Sequence, residues 1–245
     1  FSPLLSYFRK YPDIALSGLI YNAGIWVDKW VMWAAPEAVR PASGLVSYPA
    51  YDGAMFAAQL TMVPAIALFV FAVETKFFVV YRNFYRTIER HGTLAKINSA
   101  HGDIVNTLSR SATSLGILQI TLALFVIALS PKLLEVLDLH AGQLGVFRLG
   151  VLGSGFHAIF LFLTIVLAYF DLRRQVLVAQ IAFFLINAGA TALTLQLGPA
   201  WYGYGYFTAC VVAASLAALF AANAIARLPY LTFVSNNPAI QRRGA

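Results

Sequence analysis

Charge is scarce in this sequence. Of 245 residues, 11% are charged and 60% hydrophobic, and the mean hydropathy is +0.74. Soluble domains carry about 25% charged and about 45–50% apolar residues. The shortage of polar surface excludes a water-soluble enzyme, a disordered regulator and a nucleic-acid-binding domain. Cysteine is nearly missing as well: Cys210 alone permits neither an intrachain disulfide framework nor a Cys-based metal cluster. The four histidines, His91, His101, His140 and His157, show no H-x-x-x-H spacing. No phosphate-binding G-x-x-x-x-G-K-[ST] loop, no G-x-S-x-G and no H-E-x-x-H occurs. Catalysis, a cofactor and a bound metal are therefore not expected.

What the sequence does have is long uncharged runs. A helix needs about 20 apolar residues to cross a bilayer core. Six segments qualify: Ile14–Ala35, Met55–Val73, Ser111–Leu129, Leu149–Phe170, Val176–Leu197 and Tyr206–Ile225. The last five contain no Asp, Glu, Lys or Arg; the first contains Asp28 and Lys29. The runs are too long for strands and lack their period-two alternation. The expected fold is an all-α polytopic membrane protein with six transmembrane helices in one domain.

The net charge of +7 is distributed unevenly along the chain. Arg9 and Lys10, then Lys76, Arg82, Arg86, Arg90, Lys96 and Arg110, then Arg173 and Arg174, then Arg227, Arg242 and Arg243 fall on one side of the spans. Only Arg40 and Lys132 fall on the other. The positive-inside rule then places both termini of the segment in the cytoplasm. It also accounts for the basic balance without a nucleic-acid partner.

The connections differ. Residues 36–52 (PEAVRPASGLVSYPAYD) form a Pro-rich external loop without helical period. Residues 74–108 form a cytoplasmic amphipathic segment. There Phe77, Tyr81, Phe84 and Ile88 recur at helix spacing opposite Arg82, Arg86, Glu89 and Arg90. This segment lies along the inner membrane surface, with Arg82, Arg86 and Arg90 near anionic headgroups, or docks a cytoplasmic partner. Residues 131–145 read as a short external helix started by Pro131.

Ionisable residues inside spans are costly and mark functional sites by default. Adjacent helix positions point about 100° apart, so Asp28 and Lys29 are expected to face different partners. The bland alternative has both snorkelling to water from the outer end. Asn22 and Lys29, seven apart, share a face and predict an interior polar stripe. Arg148 precedes a run containing Gly150, Gly153, Ser154 and Gly155. It is either an anion ligand or an interfacial anchor. His157 is expected to pack through hydrogen bonds. Pro64 and Gln59 in the second span, and Asn187 in the fifth, suggest kinks or cavity groups. Ala214, Ala218 and Ala222 suggest a packing seam, and Trp201–Phe207 an outer aromatic belt. The substrate-path candidates are Asn22, Asp28, Lys29, Arg148, His157 and Asn187.

Residues 18–36 (GLIYNAGIWVDKWVMWAAP), 51–77 (YDGAMFAAQLTMVPAIALFVFAVETKF) and 144–174 (LGVFRLGVLGSGFHAIFLFLTIVLAYFDLRR) resemble the PelG family. These are multi-span inner-membrane proteins of Pel exopolysaccharide biosynthesis, related to the MOP group of polysaccharide exporters and flippases. The likeness includes the polar positions Asn22, Asp28, Lys29, Glu74, Arg148 and His157. The resemblance implies a protein about twice this long, with twelve spans in two six-helix lobes. This chain would be the second lobe and would lack its N-terminal partner lobe; an opening Phe1 fits a fragment or a processed chain. It also implies an amino-sugar-rich polysaccharide substrate, surrounding membrane lipid, and three partners: the glycosyltransferase PelF and the membrane proteins PelD and PelE. The function expected is polysaccharide transport coupled to the synthase. A lipid-linked oligosaccharide flippase or cation-coupled antiporter is the alternative, and a scaffold for the synthase complex is a second.

Overall fold

The computed structural model describes residues 11–230 apart from 43, 138 and 139. Arg9, Lys10, Arg242 and Arg243, counted above toward the charge asymmetry, lie outside the described residues. The described chain is helical, with one isolated bridge, Val39 to Ser47, and no strand among the described residues. Helix α1 spans Pro12–Met32. It starts on a proline, whose missing N–H costs nothing in a first turn, and carries Asp13 at the positive end of its dipole.

After an outer loop come α2 (Pro49–Gln59), a 3₁₀ turn (Leu60–Met62), α3 (Val63–Phe71), a π turn (Ala72–Phe77) and α4 (Phe78–Glu89). These run on as one helical stretch of 41 residues. Next are α5 (Leu94–Val136), α6 (Leu144–Tyr169), α7 (Arg173–Leu197) and α8 (Tyr204–Ala226). Five of these stretches are long and apolar enough to cross a membrane. Helix α1 is not among the five: Asn22, Asp28 and Lys29 dilute its apolar character.

Helices α6, α7 and α8 form the centre. Helix α1 packs on α7, while α2 and α5 pack on α6. Small residues set the closeness. On α8 the buried seam is Ala209, Ala213, Ala217, Ala221 and Ala224 with Cys210 and Ala214, whereas Ala218 and Ala222 are exposed. The alanine seam thus lies one step round the helix from the expected row.

Two connections differ from expectation. The segment 74–108 is not one separate helix. It is a hairpin made by the end of the second stretch, a reversal at Arg90–Thr93, and the start of α5. Tyr81 donates to the Tyr169 carbonyl (3.0 Å), and a ring nitrogen of His101 faces the Ile225 carbonyl (2.8 Å). The hairpin is therefore held against the rest of the bundle. Pro131 does not begin a helix; it lies inside α5. A proline there leaves the carbonyl four residues back without its N–H. That carbonyl, of Ile127, accepts the Ser130 hydroxyl instead (2.7 Å). At 43 residues, α5 is about 64 Å long at 1.5 Å per residue, more than twice a bilayer core. Its polar N-terminal part, with Lys96, Asp103 and Arg110, projects beyond the apolar layer.

The two ends of the bundle differ in charge. The hairpin, the Tyr169–Arg173 turn and Ile225–Leu228 meet at one end, which carries Arg82, Arg86, Arg90, Arg173 and Arg227. At the other end stand Glu37 and Arg40 in the outer loop and Asp52 in the first turn of α2: Tyr202 donates to Glu37 (3.3 Å), and the Trp33 indole donates to Asp52 (3.0 Å). Partial burial, with the Glu37 carboxylate second, pushes the Tyr48 phenol above its ordinary range.

Candidate functional site: a buried polar network

Helix α1 turns one stripe inward, at spacings of four, three and four: Ser17, Tyr21, Gly24 and Asp28. This is the α-helical period. Ser17 donates to the side-chain oxygen of Gln180 on α7. Gly24 lets α1 approach so closely that a Cβ there would lie 2.8 Å from the Phe183 ring. Asn187 uses the gap to donate to the Gly24 carbonyl (2.9 Å), and Thr191 donates to Asn187 (3.3 Å).

Asp28 is completely buried and Lys29 is 5% exposed. They do not face different partners. The Lys29 ammonium lies 3.2 Å from both carboxylate oxygens of Asp28 and donates also to the Ile25 carbonyl (3.1 Å). A four-carbon stem is long enough to span the 100° offset between neighbouring positions, which a count of helix angles misses. Tyr51, at the start of α2, donates to Asp28 (3.1 Å). The pair is thus paired inside the bundle, and snorkelling is excluded. Lys29 also sits 5.9 Å from the ring centre of Tyr206 on α8.

Tyr206 links this pair to His157. The buried imidazole has the Tyr206 hydroxyl 2.8 Å from Nδ1 and the Tyr21 hydroxyl 3.0 Å from Nε2. A neutral imidazole has one donor and one acceptor nitrogen. One tyrosine therefore donates to it and the other accepts. Tyr51, Asp28, Lys29, Tyr206, His157 and Tyr21 join α1, α2, α6 and α8.

Of the six path candidates, Asp28, Lys29, His157 and Asn187 come together in this interior. Asn22 does not: it is exposed and donates only to the Gly18 carbonyl of its own helix (2.8 Å). Arg148 is half-buried on α6, and its Nε donates to Ser130 (2.8 Å), the residue that caps the break at Pro131. Arg82, Arg86 and Arg90 are exposed along the hairpin. Sequence reading missed Tyr21, Tyr51 and Tyr206. Tyr206 was absorbed into the aromatic belt, yet it is fully buried, while Trp201 (48%) and Tyr204 (41%) stay exposed. The available signal was that Tyr21 and Asp28 are seven residues apart in one helix.

Among the described residues no group of histidine, cysteine and carboxylate side chains could hold a metal. The network offers charge neutralisation and hydrogen-bond exchange between helices. A model of one protein family, PelG, described as "Putative exopolysaccharide Exporter (EPS-E)", matches residues 1–233. The chain belongs to the PelG family. Its general activity is then exopolysaccharide export, by a multi-pass, all-helical membrane protein of a transporter family rather than an enzyme family. No curated protein and no solved structure matches the chain. In this PelG-family chain α1, which is not among the five apolar stretches, carries the buried ion pair, and α2, α6 and α8 supply the rest of the network.

Proposed function

We propose that this chain moves a Pel-like exopolysaccharide across the bacterial inner membrane while a cytoplasmic glycosyltransferase extends the polymer. The observation that carries this reading is the Asp28–Lys29 pair, buried in a membrane bundle and bonded across to α2. Holding two charges there is expensive, and apolar residues would fill the space more cheaply. In this reading the network is the joint by which α1 shifts on α7 and α8 as the chain passes. The outward face of α1 supports it, with Asn22, Trp26 (51% exposed) and Trp30 (48%) at successive turns. An amide and two indoles suit sugar hydroxyls and sugar C–H faces. The exposed arginines of the hairpin suit the synthase side, where the family resemblance points to PelF with PelD and PelE. The basic end is then cytoplasmic.

The test is an Asp28→Asn/Lys29→Met double variant of the full-length protein. It removes both charges while Tyr51 keeps an acceptor. Secreted polymer should fall at least tenfold with protein level and synthase co-purification unchanged. Secretion at the wild-type level would leave the network a structural feature and favour a scaffold.

A further inference from the structure

A second polar feature lies away from the network, at the basic end. A cleft of about 410 Å³ opens between the π turn and α5. That is within the range of small-ligand pockets, about 300–1,000 Å³. Lys76 comes from the π turn. Thr107, Arg110, Ser111 and Ser114 come from α5, where offsets of three, four and seven put them on one stripe. The far wall is apolar, with Leu68, Phe71 and Phe162. We propose that this cleft binds the phosphate of an anionic lipid, whose acyl chain lies along the apolar wall.

Four observations carry it. The depth is right: Arg110 immediately precedes the apolar run of α5, and Lys76 follows shortly after the apolar run that ends at Val73. Both cations therefore sit at the level of the lipid headgroups. The donors are right: a guanidinium, an ammonium and three hydroxyls match an oxyanion, and arginine grips phosphate bidentately. The cations have no carboxylate partner among the described residues, where the ion pairs are Lys29–Asp28 and Arg173–Asp171; Lys76 stands 6.0 Å from the ring centre of Phe71 in the apolar wall. The backbone is unusual there: π turns are rare and concentrate at functional sites. Basic pockets between membrane helices are a known way of holding anionic headgroups. The inference does not depend on which side of the membrane the basic end faces, nor on the export reading.

The experiment uses the full-length protein in nanodiscs of phosphatidylcholine doped with phosphatidylglycerol. Native mass spectrometry counts the phosphatidylglycerol molecules retained. Lys76→Gln/Arg110→Gln should cut the preference for phosphatidylglycerol at least fivefold, and Ser111→Ala/Ser114→Ala about twofold to threefold. Arg82→Gln/Arg86→Gln, on the exposed face of the hairpin, should change nothing, and millimolar inorganic phosphate should not compete. Undiminished retention in the Lys76/Arg110 variant would overturn the site. Equal loss in the Arg82/Arg86 variant would replace it with diffuse surface charge. Competition by inorganic phosphate would make it a free-anion site. If the double glutamine variant does not stay monodisperse, Lys76→Arg/Arg110→Lys decides the matter, because it must retain the lipid.

Discussion

Asp28 and Lys29 neutralise each other at the smallest sequence separation a helix allows. Breaking a buried pair leaves one uncompensated charge and costs about 3–5 kcal/mol. Asp28→Asn alone and Lys29→Met alone should each cause that loss, read as lowered thermal stability in detergent. The double variant should recover most of it, because no charge is then stranded. A double variant as unstable as either single one would contradict the pairing. His157 is a weaker joint. His157→Phe keeps an aromatic ring but removes the hydrogen bonds to both tyrosines, leaving the buried Tyr206 hydroxyl and the part-buried Tyr21 hydroxyl without that partner, at up to about 1–3 kcal/mol each. Its stability cost should nearly vanish in a Tyr21→Phe/Tyr206→Phe background. At this scale the sequence was half legible. The charges in α1 stood out against an apolar run. Their partners did not, because Tyr51 and Tyr206 are 22 or more residues away and tyrosine is ordinary in a membrane protein.

Helix contacts turn on where small residues are needed. A Cβ at Gly205 would lie 2.6 Å from the backbone of Thr191, so α7 and α8 touch there without room for a methyl group. At Gly189 nothing lies within 4 Å. Gly205→Ala should therefore destabilise the protein by about 1–3 kcal/mol or push α7 off α8. Gly189→Ala should stabilise it by about 0.5–1 kcal/mol through helix propensity. Comparing the two melting temperatures checks this, and equal shifts would contradict the close approach. The helices themselves were easy to read, since uncharged runs mark them directly. Their ends were not. Pro131 signals a start by itself, but the Ser130 hydroxyl supplies the carbonyl of Ile127 with a donor, and Arg148 holds that serine. The helix therefore continues, for a reason that involves a residue 18 positions away. The hairpin at 90–93 was hidden similarly, because a helical period on both sides of a short turn looks like one surface helix.

Across the whole molecule, an arginine-rich end and an aromatic end with few cations frame an apolar bundle with one polar knot inside. The proposed orientation can be checked because Cys210 is completely buried. In a Cys210→Ala background, a cysteine replacing exposed Leu45 should react with an impermeant maleimide in intact cells. A cysteine replacing Arg90 should react only after the membrane is opened. The reverse pattern would invert the topology. The account's central claim, export coupled to synthesis, is tested most directly by the fate of the polymer. In a strain lacking the full-length gene, secreted, cytoplasmic and lipid-linked polysaccharide would be measured separately, then again with the wild-type gene restored. The account predicts that secreted polymer disappears, no lipid-linked sugar accumulates, and restoration returns secretion. Accumulated lipid-linked sugar would instead make the protein a flippase, and unchanged secretion would contradict the export reading outright.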